Sequence, residues 1–121
     1  MTVTGVKSKS IKAITVKDTV KIKTTTFKVT AIGDSAFKNC KKASKVTIGK
    51  NIEKIGKTAF YQCKNLKAIT VKSTKISKVG KNALKGIHAK AKIKMPKSKL
   101  KKYQKLFKNK GQKKTVKIVK N

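Results

Sequence analysis

The chain has 121 residues, enough for one domain, and 37% of them are hydrophobic. It carries 35 basic residues against 3 acidic ones, for a formal net charge of +32, and every basic residue is lysine. Lysine lacks the planar fork with which arginine grips phosphates, so the composition favours diffuse attraction of anions over stereospecific recognition. A purely solubilising coat of lysine is the equally weighted alternative. No apolar run is long enough to span a membrane, and the first ten residues lack the apolar segment of a signal peptide.

Residues 1–28 are predicted to form a strand-rich N-terminal cap. Residues 11–16 alternate apolar and polar side chains, which is typical of a strand with one buried face. Two further short apolar runs, residues 20–22 and 27–29, flank the polar residues 23–26. This spacing predicts a β-hairpin with residues 23–26 as its turn.

An internal repeat organises the next part of the chain. Residues 32–40 read IGDSAFKNC, residues 55–63 read IGKTAFYQC, and residues 79–87 read VGKNALKGI. The shifts are 55 minus 32, or 23 residues, and 79 minus 55, or 24 residues. Each copy leads into an alternating run that predicts a strand. Residues 29–96 are therefore predicted to hold three repeats of 23–24 residues.

Repeats of this length cannot bury their own apolar side chains, so consecutive copies have to stack. Stacking in register predicts two internal columns: Val46, Ile69 and Ile93 in a parallel sheet, and Phe37, Phe60 and Leu84 beside it. We expect one helical turn in each copy, from Ser35 to Cys40 in the first, with Asp34 as its N-cap.

Residues 97–121 are predicted to form a C-terminal cap made of a helix and a strand. Pro96 ends the last repeat, and Ser98 can cap a helix that runs to about Asn109. Gly111 then closes the helix, and residues 115–119 alternate as a final strand.

These recurring positions resemble the BspA-like leucine-rich repeats of bacterial surface proteins, whose units follow the pattern I-G-x-x-A-F-x-x-C-x-x-L-x-x-I-x-I. The resemblance covers residues 29–96. It implies a leucine-rich-repeat solenoid of short parallel β-strands and single helical turns. It also implies a non-enzymatic, adhesin-like interaction module, displayed on the surface of a bacterium or secreted by it.

Candidate catalytic and metal-binding residues are sparse. The acids Asp18, Asp34 and Glu53 fall in different phases of the repeat and form no pair suited to acid–base catalysis. Cys40 and Cys63 share a repeat position, which predicts buried thiols, with a disulfide as the less favoured alternative. His88 lies one column out of phase with the cysteines, so a zinc site is not expected. We predict no catalytic residues, no metal and no cofactor.

Stacking also brings lysines of successive repeats together in ladders. The predicted pairs are Lys41 over Lys64, Lys54 over Lys78, and Lys57 over Lys81. Two charges about 5 Å apart repel by about 0.8 kcal/mol even in water, so each ladder attracts anions. The expected partner is an anionic polymer or an acidic protein surface, such as a cell-wall polymer or a sulfated glycan. Nonspecific nucleic-acid binding is the alternative, which the lack of arginine and the small number of aromatic residues disfavour.

Overall fold

The computed structural model describes residues 1–5 and 10–120. The described residues form eleven β-strands and one α-helix, preceded by a 3-10 turn at Lys97–Lys99. The elements are β1 Thr2–Val3, β2 Ala13–Val16, β3 Thr19–Ile22, β4 Thr25–Lys28, β5 Ala31–Ile32, β6 Lys45–Ile48, β7 Lys54–Ile55, β8 Ala68–Val71, β9 Lys78–Val79, β10 Lys92–Met95, α1 Leu100–Leu106 and β11 Lys117–Lys120.

The longer strands form a five-stranded parallel sheet in the order β11-β10-β8-β6-β2. Val46 pairs with Ile69, and Ile69 pairs with Ile93, so the predicted column in a parallel sheet is confirmed. These three residues are buried, while Lys45 and Lys92 on the neighbouring positions are exposed. Alternate residues of a strand point to opposite faces, which is why the apolar positions all reach one interior.

A second parallel sheet consists of two-residue strands in the order β1-β5-β7-β9. Its inner positions, Ile32, Ile55 and Val79, stack in register and are buried. The first strand of this sheet was not predicted from the sequence. It adds residues 2–3 to the edge, where Val3 pairs with Ile32.

The segment between the two sheets differs from the sequence prediction. The single helical turn expected from Ser35 to Cys40 is wrong, because residues 34–39 form consecutive turns instead. The Ala36, Lys38 and Cys40 N–H groups donate to carbonyls three residues earlier, whereas the Ser35, Phe37 and Asn39 N–H groups donate to the next repeat at 2.8 Å. Neighbouring repeats are thus joined here by backbone hydrogen bonds that a helix would have kept within the segment.

Left-handed backbone conformations enforce this arrangement. Ser35 and Asn39 have φ values of 56° and 62°. The φ angle is also positive at the equivalent residues of the later repeats, which are Thr58, Gln62, Asn82 and Gly86. A residue at positive φ interrupts a right-handed helix but fits the third position of a type II turn. The Ser35 and Thr58 hydroxyls lie 2.6 Å apart, and Thr58 donates its proton to the Lys57 carbonyl. Ser35 is therefore the donor of the first bond.

The interior between the sheets holds the second predicted column. Phe37, Phe60 and Leu84 are buried, and the two phenylalanine rings stack with centroids 5.5 Å apart and an interplanar angle of 13°. Such an aromatic pair adds about 0.5–1.5 kcal/mol to the stability gained from burial. This column is confirmed.

The N-terminal hairpin is confirmed, with a tighter turn than expected. β3 and β4 are antiparallel, with Val20 opposite Phe27 and Ile22 opposite Thr25. Only Lys23 and Thr24 lie between the strands, and Lys23 has a φ of 57°. Positive φ is what two-residue hairpin turns require, so Lys23 takes a conformation that glycine or asparagine adopts more readily.

The C-terminal helix is shorter than predicted. It spans Leu100–Leu106, with Phe107 as its C-cap, and Asn109 has a φ of 56°, outside the right-handed helical region. Ser98 does not cap it: the residue lies inside the preceding 3-10 turn, and the helix N-cap is Lys99 without a side-chain hydrogen bond. The final strand begins two residues later than expected and pairs in parallel with β10.

Candidate anion-binding groove

A groove of about 330 Å³ lies over the outer face of the four-stranded sheet. It takes residues from three successive repeats and from β1, and we call it the lysine groove. Its lining is Thr2, Ala31, Ile32, Gly33, Asp34, Lys54, Ile55, Gly56, Lys57, Lys78, Val79, Gly80 and Lys81.

Two of the lysines are positioned by the short strands. Lys54 pairs with Lys78 in register between β7 and β9, as predicted. Ile55 and Val79 follow them and point into the core, so the lysine side chains point outward. Adjacent strands are about 4.8 Å apart, which sets the spacing of this ladder.

The other two lysines begin the turns that follow the strands. The Thr58 N–H donates to the Lys81 carbonyl at 3.1 Å, which holds the turn after Lys57 against the turn after Lys81. The glycines before them allow this approach: a Cβ at Gly80 would lie 2.4 Å from the Lys57 nitrogen. No side chain could be accommodated there without moving the backbone. The groove therefore has a backbone floor with lysines along it.

The predicted pair Lys41 and Lys64 lies outside this groove. Both residues are exposed and occupy equivalent positions after the turns. They are neighbours, because the Asn65 amide donates to the Lys41 carbonyl at 2.8 Å. The structure thus gathers four of the six predicted lysines into one groove and leaves this pair on another part of the surface.

The predicted role of Asp34 as a helix N-cap is wrong, and Asp18 has a role that the sequence did not predict. Asp34 caps no helix; its Oδ1 accepts a hydrogen bond from the Lys57 N–H at 2.8 Å, inside the lysine groove. Asp18 accepts one from the Lys50 N–H at 2.6 Å, and its second oxygen lies 3.9 Å from the Lys50 ammonium. Each carboxylate therefore binds the backbone of a neighbouring repeat. No sequence motif marks this role.

The cysteines and the histidine serve the fold. Cys40 and Cys63 are fully buried thiols, and the Cys63 Sγ donates to the Phe37 carbonyl at 3.1 Å. His88 is half-buried, and its Nδ1 accepts a hydrogen bond from the Lys90 N–H at 3.0 Å. Across residues 1–5 and 10–120, no three His, Cys, Asp or Glu residues lie together as metal ligands would.

Comparison with known families agrees with this architecture. The family model for the BspA type leucine-rich repeat region matches residues 7–121 in six copies. The chain belongs to this family. The BspA-type match extends beyond the three repeats predicted for residues 29–96, over the hairpin at one end and the helix at the other. No curated protein and no solved structure shows significant similarity to the chain.

Membership in the BspA-type family indicates only the general class of function. Leucine-rich repeats of this type are in general non-enzymatic interaction modules, and BspA-type proteins are typically found at bacterial surfaces. In the part of the chain that the structure describes, no helix is both long and apolar enough to cross a membrane.

Proposed function

We propose that this protein is a non-enzymatic interaction module, displayed at a bacterial surface or secreted, that binds anionic polymers in the lysine groove. The observation that carries the proposal is the convergence of Lys54, Lys57, Lys78 and Lys81 from two successive repeats on one groove. A linear polymer lying along the stacked repeats meets lysines of both.

The charge balance of the groove supports an anionic ligand. Its lining has four lysines and one acid, Asp34, which leaves a formal charge of 4 minus 1, or +3. Like charges held one strand spacing apart repel one another, and a bound polyanion relieves this repulsion. Binding also releases the counterions that the polymer had condensed, so affinity falls steeply as salt rises.

The repeat architecture supports a solenoid with protected ends. The strands of successive repeats pair in parallel in both sheets, so each repeat contacts its neighbours. The hairpin β3–β4 follows the edge strand β2, and helix α1 precedes the edge strand β11. We assign these two elements as the N-terminal and C-terminal caps, because the open ends of a solenoid would otherwise expose core.

The ligand class follows from lysine chemistry. An ammonium group is a hydrated point charge without the geometry to read one ligand in preference to another. We therefore expect the groove to rank ligands by charge density, so that a sulfated glycan and a phosphate-rich cell-wall polymer of equal charge density bind alike. An acidic protein surface is bound by the same groove when its charges match the lysine spacing.

The test is a salt titration of heparin binding for two variants with equal charge. The groove variant replaces Lys54, Lys57, Lys78 and Lys81 by Gln. The control replaces four exposed lysines elsewhere, Lys42, Lys67, Lys101 and Lys114, by Gln. The slope of log K against log salt is negative, and each lost contact makes it shallower by about 0.7–0.9. The slope of the groove variant should therefore be shallower than that of the parent by up to about three. The control should lose clearly less.

The alternatives make different predictions in the same titration. Equal slopes for the two variants mean that the lysines are a solubilising coat. When the titration is repeated with duplex DNA, binding tighter than heparin's at matched charge density, without dependence on DNA sequence, favours nonspecific nucleic-acid binding. Display is tested separately by antibody labelling of intact cells that express the native gene, and labelling only after lysis contradicts it.

A further inference from the structure

One oxyanion position in the lysine groove is already occupied by a carboxylate of the protein itself. The Asp34 Oδ1 accepts a hydrogen bond from the Lys57 N–H at 2.8 Å, and both residues line the groove. A hydrogen bond from a backbone N–H to a charged acceptor is stronger than one between neutral groups. In the first repeat, therefore, the groove holds a carboxylate through a backbone N–H of the next repeat.

The following repeat presents the same backbone donor. The Gly56 N–H donates to the Ile32 carbonyl and the Gly80 N–H to the Ile55 carbonyl, both at 2.8 Å. The third repeat therefore lies on the second as the second lies on the first. By this equivalence, the Lys81 N–H faces Lys57 as the Lys57 N–H faces Asp34.

The acid is missing at this second position. Lys57 stands where the first repeat has Asp34, and an ammonium side chain has no acceptor. Within residues 1–5 and 10–120, no atom accepts a hydrogen bond from the Lys81 N–H. The donor faces a groove whose lining there includes Lys54, Lys57 and Lys78. The next repeat thus keeps the backbone N–H donor, at Lys81, but has the Lys57 ammonium group where the first repeat has the Asp34 carboxylate.

A second site in the chain shows that this pairing recurs. The Asp18 carboxylate accepts the Lys50 N–H at 2.6 Å, although Asp18 and Lys50 lie outside the lysine groove. Two of the 3 acids in the sequence therefore bind a lysine N–H of a neighbouring repeat. A carboxylate-sized group is evidently accommodated where one repeat lies on the next.

We propose that the Lys81 N–H is the centre of an oxyanion subsite in the lysine groove. The subsite takes a sulfate, phosphate or carboxylate group of the ligand in the position that the Asp34 carboxylate occupies one repeat earlier. The Lys57 stem is flexible, so its ammonium turns outward and faces the same anion. The inference rests on the proposed function, because it names one contact that a bound polymer makes.

The test follows backbone amide resonances of the ¹⁵N-labelled protein. Sodium sulfate, phosphate and acetate are each titrated at pH 6 and constant ionic strength, with chloride as the balancing anion. The Lys81 amide should shift in a saturable manner, and the Lys57 amide, whose donor is occupied, should shift several-fold less. The order of the three affinities identifies the preferred oxyanion. Equal shifts of the two amides, or no shift of the Lys81 amide when an oxyanion replaces chloride, overturn the proposal.

Two variants change the availability of the backbone donors in opposite ways. Lys57→Asp restores an internal carboxylate beside the Lys81 N–H and should abolish its response, whereas Lys101→Asp, an exposed site with the same change of charge, should keep it. Asp34→Ala frees the Lys57 N–H and should give that amide a saturable sulfate response of its own. If Lys57→Asp and Lys101→Asp behave alike, the Lys81 N–H binds no anion.

Failure of this inference is separable from failure of the proposed function. If heparin binding still depends on the four groove lysines while the Lys81 amide resonance does not shift with any oxyanion, the groove binds polymers by charge alone. If the groove and control quadruple variants have the same salt slope, the proposed function itself is wrong.

Discussion

The two ends of the stack place their aromatic side chains in opposite environments. Phe27, in the N-terminal hairpin, is 40% exposed, whereas Phe107, just after helix α1, is 1% exposed. Both ends were predicted as caps from alternating or helical patterns of apolar residues. The patterns alone did not distinguish an element that packs onto the core from one that projects from it.

The hairpin is attached mainly through hydrogen bonds. Every residue of β4 is exposed, and only Val20 of β3 is partly buried against the core. The Asp18 carboxylate, at the base of the hairpin, accepts a hydrogen bond from the Lys50 N–H at 2.6 Å, and the amino group of Met1 donates to the Lys28 carbonyl at 3.0 Å. Such contacts fix the position of the hairpin while burying little apolar surface.

The C-terminal helix is attached through side chains. The Tyr103 hydroxyl donates to the Ser73 carbonyl at 2.7 Å and accepts from the Ile76 N–H at 3.1 Å. The Phe107 ring lies 6.0 Å from the Tyr103 ring, and both side chains are buried. The helix thus contributes two buried rings to the hydrophobic core, whereas the hairpin buries little of its apolar surface.

The largest expected effect is at Phe107. Phe107→Ala should lower the free energy of unfolding by about 3–5 kcal/mol, because it removes a buried ring and leaves a cavity between the helix and the last repeats. Urea denaturation followed by circular dichroism measures the change. A loss within about 0.5 kcal/mol, the range for surface positions, would mean that the helix is not part of the core.

A smaller effect is expected at Tyr103. Tyr103→Phe keeps the ring but leaves the Ser73 carbonyl and the Ile76 N–H without their partner, which should cost about 1–3 kcal/mol. Ser77→Ala, at an exposed site on the same connection, is the control and should be close to neutral. Equal stability of Tyr103→Phe and the parent would show that water replaces the hydroxyl.

The same tyrosine makes the stability of this end depend on alkaline pH. Burial raises the pKa of Tyr103 above its ordinary value of 10.0, and the hydrogen bonds with Ile76 and Ser73 offset part of the rise. The unfolded chain then loses this proton before the folded one does. Stability from this group is complete below pH 10.0 and is lost as pH rises through the folded pKa. Above pH 10, the free energy of unfolding should therefore fall less steeply with pH for Tyr103→Phe than for the parent, as urea denaturation at a series of pH values measures.

The sequence predicts the parts of the fold that repeat. Phe37 and Phe60, or Val46 and Ile69, occur at equal spacing, and equal spacing fixes the register of stacked copies. The turn segment was mispredicted because both polar residues fit a helical turn, and of Ser35 and Asn39 only the asparagine is of a type that favours positive φ. The strand at residues 2–3 was missed because two residues show no period.

The groove was only partly predictable for a related reason. Ladders follow from repeat spacing, so Lys54 over Lys78 could be found, but spacing does not say which ladders share a concave surface. Lys41 and Lys64 fit the spacing equally well and lie elsewhere. The open donor at Lys81 belongs to the backbone, and only the hydrogen bond between Lys57 and Asp34 reveals it.

The smallest expected effect is at the exposed hairpin. Phe27→Ser should change the free energy of unfolding by no more than about 0.5 kcal/mol, because a ring that is 40% exposed in the folded state loses little on removal. The same urea denaturation that measures Phe107→Ala measures this variant, so the two aromatic residues are compared directly. A loss approaching that of Phe107→Ala would mean that the hairpin folds down onto the core in solution. The two ends would then stabilise the stack by the same means, and the contrast between them would disappear.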